Sequence, residues 1–320
     1  MTLQLESVLG DLAKSFRERG CDASVATMTL VVFFENEAIG ELARERIGKV
    51  ASKHPSRVIM LDATQAESSY RVDGCDWIEL GVRGSSPELL RSAVSMLRLA
   101  DAPIVLLWIA RGIGSDARFA ALCPDASTIV YNSSLLDTGH EALRELVDYA
   151  ADHPSLALAD IAYLRLGPWQ ECVATFFDGK AATELRMLER VEIGCGSDPE
   201  AFYLLGWLAS RLHWTPSSAD ALVDAAGKTI RFEIHREGEP RRIARIALQS
   251  TQSKFVAQLD AAGDSILLDV SGARHRTRHE AVQHPGIAAL VERAILWGQS
   301  DRVFYESLAQ AGRILEQRRK

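Results

Sequence analysis

The sequence predicts an α/β protein, in which an N-terminal, mostly parallel βαβ layered domain is followed by an α+β domain with an antiparallel meander and C-terminal helices. The first half alternates short apolar segments with helix-forming ones, which is typical of a parallel sheet covered by helices. The second half contains a run of β-rich segments separated by turn residues. Because 320 residues exceed what one hydrophobic core usually organises, we expect two domains, 1–154 and 155–320.

The elements of the first domain follow from its apolar periodicity. Residues 104–109 are apolar throughout, so this strand is expected in the centre of the sheet. Ser86 and Pro87 start a helix, because a serine hydroxyl caps the first turn and proline is favoured at the first helical position. The expected strands are 27–34, 57–61, 77–82, 104–109 and 127–131, and the expected helices are 3–16, 38–53, 87–99 and 141–151.

The junction between the two expected domains lies in His153-Pro154-Ser155, after which the residue pattern changes. Turn signals at 238–240 and 262–264 separate β-rich segments, which predicts an antiparallel meander. The expected helices are 169–177, 202–213, 287–296 and 302–317, and the expected strands are 188–193, 229–235, 242–249, 254–260 and 266–271.

Composition restricts the class of protein. A chain with 47% hydrophobic and 25% charged residues, no apolar run of membrane length and no secretory signal pattern predicts a cytoplasmic protein. The five cysteines are scattered, without a CxxC or a His/Cys cluster, so we expect free thiols and no metal. No cofactor is expected either.

The net charge of −7 is unevenly distributed along the chain. Residues 228–320 contain 16 Lys and Arg against 11 Asp and Glu, a balance of +5 that leaves −12 for residues 1–227. Nucleic-acid binding usually accompanies a far higher isoelectric point than 5.7. The basic end therefore favours an acidic protein partner or a phosphate, and neither a nucleic acid nor a membrane.

A glycine-rich segment raises one enzymatic alternative. Gly112–Ala117 fits the pattern G-x-G-x-x-G/A after an apolar strand, which is typical of a dinucleotide-dependent oxidoreductase. However, the next strand ends at Tyr131-Asn132 and offers no carboxylate for a ribose hydroxyl. A flexible loop at the edge of the sheet is the favoured interpretation.

Cys195 and a basic segment form two further candidate sites. Cys195 precedes a predicted helix start at Asp198-Pro199, where a lowered thiol pKa would make it a redox thiol, although a structural cysteine in a tight turn is favoured. Arg274, Arg276 and Arg278 alternate, so on a strand they would share one face. That stripe could bind an acidic partner or the phosphate of a sugar-phosphate sensor, or protect an edge strand.

Two tryptophans stand apart from those that have core-like helical spacing. Trp108 and Trp169 lie at the ends of predicted elements, close to Arg111 and to Arg165 with Pro168. Tryptophan and arginine are the residues most enriched among interface anchors, but a buried tryptophan is the commoner case. These five residues are therefore candidates for partner binding or for a structural role, and no catalytic group accompanies them.

Six segments together resemble one known family, the OpcA family of glucose-6-phosphate dehydrogenase assembly proteins. The segments are 27–32, 54–59, 99–108, 164–171, 205–212 and 301–305. The chain departs from the family pattern at Ile109, where a second Trp is common, and at Gly167, where Thr is common. The resemblance implies a non-catalytic allosteric activator that binds glucose-6-phosphate dehydrogenase and promotes its active oligomer in the oxidative pentose phosphate pathway. It also implies the thioredoxin-linked redox control known for cyanobacterial members.

Overall fold

The computed structural model describes residues 5–19, 26–136, 139–272, 275–281, 285–296 and 301–319. The chain forms two compact units. Unit 1 comprises Met1–Asn132, His153–Ile161 and Gly286–Gln299, and unit 2 comprises Ser133–Asp152, Ala162–Pro285 and Ser300–Lys320. The chain passes between the units several times, and the domain boundary at 154 and 155 stays a prediction.

Helices and strands alternate through most of the described part of unit 1, as the apolar periodicity predicts, except that three strands follow one another between residues 56 and 83. The helices are α1 (Leu5–Arg19), α2 (Glu37–Lys53), α3 (Pro87–Leu97), α4 (Ala117–Leu122), α5 (Ser133–Leu136), α6 (Glu141–Asp152), α7 (Ile161–Leu164), α8 (Gly167–Phe176), α9 (Asp198–Leu212), α10 (Ile287–Leu296) and α11 (Arg302–Gln317), with 3₁₀ segments at Cys123–Asp125 and Gly179–Met187.

The sheet of unit 1 is mostly parallel, which confirms the predicted fold class. Its strands are β1 (Met28–Phe34), β2 (Ser56–Ala66), β3 (Tyr70–Asp73), β4 (Trp77–Arg83), β5 (Ile104–Ile109), β6 (Thr128–Tyr131) and β7 (Leu158–Asp160). The order across the sheet is β3-β4-β2-β1-β5-β6-β7, and among the described strands only β3 is antiparallel to its neighbour. Without β3, this is the doubly wound order whose direction reverses between β1 and β5.

The sheet of unit 2 contains an antiparallel meander from residue 243 onwards, but the first strand predicted for it, 229–235, is not adjacent to 242–249, because strand 188–195 lies between them. Its strands are β8 (Leu188–Cys195), β9 (Thr215–Ser218), β10 (Ala221–Val223), β11 (Thr229–Arg236), β12 (Ile243–Ser250), β13 (Ser253–Leu259), β14 (Ser265–Gly272) and β15 (Arg276–Ala281). The order is β15-β14-β13-β12-β8-β11-β10-β9, and within the described residues the β8–β11 pair alone is parallel. Helices α8 and α9 pack against this sheet.

Local chemistry sets the helix starts. Ser86 caps α3 as expected, since its hydroxyl oxygen accepts a hydrogen bond from the Leu89 amide at 3.3 Å. Asp198 followed by Pro199 predicts an N-cap at Asp198, but α9 begins at Asp198 itself and Ser197 is its N-cap.

Helices α9 and α11 approach so closely at Gly206 that a side chain there would collide with the Ser307 carbonyl oxygen. We expect Gly206→Ala to lower the free energy of unfolding by about 1–3 kcal/mol through overpacking. Gly48→Ala in α2 is the control, because no neighbouring atom lies within 4 Å of the point that an alanine Cβ would occupy there. It should stabilise by up to about 1 kcal/mol through helix propensity. Urea denaturation measures both, and equal effects would contradict the close packing.

Candidate functional site

Trp108 is a core residue of unit 1. Its side chain is 0% exposed, and it stacks on Phe33 with ring centroids 4.2 Å apart and meets Phe119 edge-on at 5.2 Å. Its indole Nε1 donates a hydrogen bond to the Arg111 carbonyl oxygen at 3.2 Å. Both the apolar ring and its polar group are therefore used inside the unit, so burial favours the structural role for Trp108.

The glycine-rich loop Gly112–Ala117 follows β5 and leads into α4. Gly112 and Gly114 have φ values of 77° and 90°, which L-residues with side chains rarely adopt. Helix α4 is only 6 residues long, and the Asp116 carboxylate accepts the Arg118 amide hydrogen bond at 2.8 Å. An acid therefore occupies the helix start where a dinucleotide phosphate would bind. This geometry disfavours a dinucleotide at this loop.

The segment Leu164–Glu171 forms the corner between α7 and α8. Pro168 lies in the first turn of α8, where its fixed φ and missing N–H suit the helix start. Trp169 is 3% exposed, and Leu164 and Leu166 are buried as well. The unusual sequence of this segment is thus explained by a tightly packed corner, and burial favours the structural role for Trp169 also.

Arg165 leaves that corner to form an ion pair inside unit 2. One terminal nitrogen donates to Glu200 Oε1 at 2.9 Å and to Ser134 Oγ at 2.7 Å. Glu200 is 1% exposed, and its other oxygen accepts a hydrogen bond from the Ser197 hydroxyl at 2.5 Å. A buried carboxylate needs such partners, because burying a lone charge is costly.

A second arginine joins these residues from the loop after β11. Arg241 donates from its backbone N–H to Ser197 Oγ and from Nε to the Ser134 carbonyl oxygen, both at 3.2 Å. Its φ of 65° is rare for a residue with a side chain. Burial and the nearby Arg165 charge lower the pKa of Arg241. We call this group the arginine cluster; it consists of Ser134, Arg165, Ser197, Glu200 and Arg241. It joins two cations to one buried acid.

Arg276 and Arg278 share one face of β15, the outermost strand of the sheet. Their partners across the ladder are Val270 and Leu268 on β14. Both arginines line a cavity of about 240 Å³. Arg274 lies outside the described residues.

The cavity beneath these arginines is lined by groups of mixed charge. Phe176 and Phe255 form apolar walls, but Asp178 and Glu184 line it as well. Arg278 is itself paired with Glu280, at 2.7 Å between Nε and Oε1. An anion in the cavity would meet carboxylates together with guanidinium groups, so the arginine stripe is not a dedicated anion site.

The surroundings of Cys195 contradict the hypothesis that its thiol has a lowered pKa. It is the last residue of β8 and is 0% exposed, and burial, assisted by the negative Asp198, raises its pKa to about 12. Burial likewise raises the pKa of Cys172 to about 11. The expectation that all cysteines are free thiols is also wrong, because Cys75 is disulfide-bonded.

The outward face of the second sheet, which we call the charged face, is not among the sites predicted from the sequence. Its residues alternate with the buried ones on six adjacent strands, and they include Arg190, Glu192, Arg231, Glu233, His235, Arg245, Gln249, Lys254, Val256, Gln258, Leu267, Asp269 and Thr277. The signal in the sequence was the alternation of charged and apolar residues along 188–193 and 229–235.

Ion pairs connect the strands of the charged face. Arg190 bridges Glu192 at 2.9 Å and Glu233 at 2.5 Å, and Arg245 reaches Glu192 at 3.2 Å. The Arg190 and Glu233 side chains are 41% and 44% exposed, so solvent reaches this face. Charges of both signs are therefore presented at fixed positions on a broad, regular surface.

The described part of the chain offers neither a metal-binding group nor a membrane-spanning helix. Among its residues, no group of three or more His, Cys, Asp or Glu side chains could hold a metal ion. No helix within the same residues is both long and apolar enough to cross a membrane.

Two protein-family models match the chain, one in each half. Residues 48–148 match the N-terminal domain of a glucose-6-phosphate dehydrogenase subunit, and residues 156–308 match the C-terminal domain of that subunit. Both models carry the name OpcA, and together they cover most of the chain. The chain belongs to the OpcA family. The likeness predicted from six short segments is thereby confirmed.

Curated relatives agree with this family and carry the provisional name OxPP cycle protein OpcA. The Nostoc punctiforme protein is 32% identical over 160 residues, which are 48% of this chain and 33% of that protein. The Synechocystis protein is 30% identical over 191 residues, 53% of this chain and 39% of that protein. The match therefore spans little more than a third of the length of these OpcA relatives.

Solved structures share the fold of this OpcA-family chain at low identity. The provisional oxidoreductase yvaA of Bacillus subtilis is 9% identical with a TM-score of 0.54, covering 93% of this chain and 96% of yvaA. The 3-ketoreductase KijD10 of Actinomadura kijaniata, solved with NADP, is 11% identical with a TM-score of 0.51, covering 91% and 97%. At these identities the likeness concerns the fold alone.

Removing Arg165 tests the buried ion pair. We expect Arg165→Met to lower the free energy of unfolding by about 3–5 kcal/mol, because the buried Glu200 would lose the cation that is hydrogen-bonded to it. The double variant Arg165→Met/Glu200→Gln should recover part of this loss. The control is Arg231→Met, whose pair with Asp220 is 66% and 61% exposed and should contribute at most about 1 kcal/mol. Equal losses for Arg165 and Arg231 in urea denaturation would contradict the structural role.

The thiol of Cys195 should resist alkylation in the native protein. With a pKa of about 12, roughly one thiol in 10⁴ is ionised at about pH 8. Peptide mass spectrometry after iodoacetamide treatment should find Cys195 labelled only in urea. Folding raises this pKa above the unfolded value of about 8.5. The free energy of unfolding is therefore undiminished by this thiol below that pH and falls as the pH rises above it. Rapid native labelling would contradict the burial.

Proposed function

We propose that this OpcA-family chain is a non-catalytic, cytoplasmic assembly factor and allosteric activator of glucose-6-phosphate dehydrogenase. Support comes from the family models, both described as parts of a glucose-6-phosphate dehydrogenase subunit. They match segments in both halves of the chain, so the proposal draws on both units.

The structural observation that carries the proposal is the charged face. Six adjacent strands about 4.8 Å apart, with about seven residues of 3.3 Å each, present roughly 650 Å². A standard protein interface buries about 800 Å² of accessible surface on each partner, so the projected area of this face is of the same order as such an interface. Its fixed charges of both signs suit a polar, non-obligate partner, since such pairs select the correct docking orientation.

The physical basis of activation would be preferential binding. If the protein binds the active oligomer of the dehydrogenase more tightly than the inactive form, it shifts the population towards the active form. A difference of about 1.4 kcal/mol in binding free energy changes that equilibrium tenfold. No group of this chain needs to contact the substrate of the enzyme.

Two alternatives are less well supported. The hypothesis of an oxidoreductase that uses Gly112–Ala117 is disfavoured because the Asp116 carboxylate occupies the helix start at which a dinucleotide phosphate would bind. The cavity beneath Arg276 and Arg278 favours the hypothesis of a sugar-phosphate sensor. However, Asp178 and Glu184 line that cavity too, and their charge disfavours a phosphate.

Thioredoxin-linked control belongs to the same proposal. Cys172 and Cys195 are buried, with raised thiol pKa values, whereas Cys75 is disulfide-bonded and only partly buried. Cys75 and the half-buried thiol of Cys123 are therefore the better candidates for a redox response. We propose Cys75, because a reductant would open its disulfide, and expect Cys75→Ser to remove a difference between oxidised and reduced protein.

The initial rate of the dehydrogenase of the same organism should rise saturably as this protein is added. The apparent constant for glucose 6-phosphate should fall, and the mass of the enzyme oligomer should increase in light scattering. Measurements under reducing and oxidising conditions, with wild type and Cys75→Ser, separate activation from redox control. If neither the rate nor the mass changed under either condition, the proposal would be contradicted.

A steric block tests whether the charged face is the docking surface. Gln258 lies opposite Arg245 on this face and is exposed, so Gln258→Trp should weaken binding of the dehydrogenase at least tenfold without unfolding the protein. Gln252→Trp is the control, because it introduces the same side chain in the exposed turn between β12 and β13. Equal binding by both variants would exclude this face but would leave activation through another surface testable by the rate experiment.

A further inference from the structure

The strand order of unit 1 specifies where a dinucleotide would bind in this fold. In doubly wound sheets, ligands bind outside the carboxyl ends of the strands, where the order reverses, and the turn after the first strand carries G-x-G-x-x-G. Here the reversal lies between β1 and β5, and the turn after β1 reads Glu35-Asn36-Glu37-Ala38-Ile39-Gly40. Two glutamates thus replace the first two glycines, while the third glycine is present.

The retained glycine shows that this turn corresponds to the dinucleotide turn. A side chain at Gly40 would collide with the Phe34 ring, so this position provides the close helix–strand contact that the third glycine provides. The Asn36 side chain already accepts the Ile39 amide hydrogen bond at 3.1 Å. Glu37 adds a carboxylate in the first turn of α2. A phosphate would therefore meet negative charge and a helix end that is already capped.

The position for the ribose is occupied by an internal ion pair. Asp62 on β2 follows the turn by about 20 residues, as a ribose-binding acid does. It is 2% exposed, and its Oδ2 accepts from Arg44 Nη2 at 2.9 Å. Its Oδ1 accepts from the amide and the hydroxyl of Thr64 at 2.8 and 2.6 Å. Both carboxylate oxygens are thus already engaged.

Arg44 connects this acid to its neighbours. Its Nε donates to Glu79 Oε2 on β4 at 3.0 Å, and its guanidinium lies 5.3 Å from the centroid of the Phe34 ring. Arg44 also lies 3.9 Å from Glu37 of the turn. One cation from α2 therefore fills the space beside β2 and engages three carboxylates.

A second arginine spans the point where the strand order reverses. Arg118 of α4 donates to Glu35 Oε2 at 3.1 Å and also binds the Asp116 carboxylate. Its guanidinium lies 4.8 Å from the centroid of the Phe33 ring. Arg118 thus ties the loop after β1 to the loop after β5, across the crevice in which a dinucleotide would lie.

We propose that the dinucleotide crevice of unit 1 is closed by the two ion-pair groups of the chain itself, centred on Arg44 and Arg118, so that this unit folds without a nicotinamide cofactor and binds none. The residues do not fit the cofactor that the fold implies, because carboxylates replace the glycines of the phosphate turn and the ribose acid is already paired. This inference does not depend on the proposed assembly role.

Direct binding tests the first part of the proposal. Millimolar NAD⁺, NADP⁺ or NADPH should leave the thermal unfolding midpoint of the full chain unchanged, because only a ligand that binds the native state raises it. Intrinsic fluorescence should show no saturable change with the same ligands. Saturable binding of any of them that Glu35→Arg abolishes or strengthens would overturn the proposal, since it would place the cofactor at this turn.

Charge removal tests whether the glutamates exclude phosphate. In Glu35→Gln/Glu37→Gln, Arg118 and Arg44 each lose a carboxylate partner, so the turn should gain binding of inorganic pyrophosphate at low salt, at least tenfold tighter than wild type. The matched control is Glu41→Gln/Glu45→Gln, which makes the same change of charge further along α2. Equal pyrophosphate binding by the two variants would overturn the proposal.

A stability comparison tests the ion pairs themselves. Arg44→Met should shift the unfolding equilibrium at least tenfold towards the unfolded state, because Asp62 would be left buried without its cation. Arg46→Met on the same helix is the control, since Arg46 is 39% exposed and lies 3.9 Å from Glu45. Equal effects of the two substitutions would show that the crevice is not held by Arg44.

Discussion

The pairing of β1 with β5 is the constraint on which the rest of unit 1 depends. Both strands are almost entirely buried. Their register places Phe33 directly beside Trp108, and the rings of these two residues stack on each other. Because the two strands are parallel, the loops that follow them must emerge at the same edge of the sheet. Arg118 can reach Glu35 and Asp116 together only because this pairing brings both loops to that edge.

Several partly buried arginines are paired with carboxylates of the chain itself. Arg44, Arg118 and Arg165 are each partly buried and each contacts at least one carboxylate. Such pairs are poor sources of net stability, because removing both charges from water is costly, but they strongly disfavour any arrangement that leaves one partner alone. Their main effect is to determine how loops and helices meet. The charged face has the opposite character, since its ion pairs remain in contact with solvent and are available to a partner.

The fold of this OpcA-family chain and its chemistry have to be considered separately. Oxidoreductase structures share its architecture at 9–11% identity, and the crevice between β1 and β5 follows from the order of the strands. What a crevice binds depends on the side chains that line it. Two glutamates and two paired arginines change that chemistry while leaving the strand order as it is. The proposed role as a protein partner needs the regular surfaces of the fold and no bound cofactor.

The sequence by itself determined the α/β class, the parallel sheet and the meander, because apolar periodicity and turn residues act within a few positions of the chain. It also determined the family, through short segments distributed over its whole length. Only the tertiary structure decided the roles of single residues. Trp108 and Trp169 have the composition of interface anchors, yet packing buries both, and Cys195 precedes a helix but lies within a buried strand end. Arg44, Arg118 and Arg165 each have at least one carboxylate partner that is distant in sequence, namely Asp62, Glu35 and Glu200, so no local pattern could reveal these pairs. The charged face likewise exists only once six strands lie side by side, because strand pairing and not sequence distance brings its residues together.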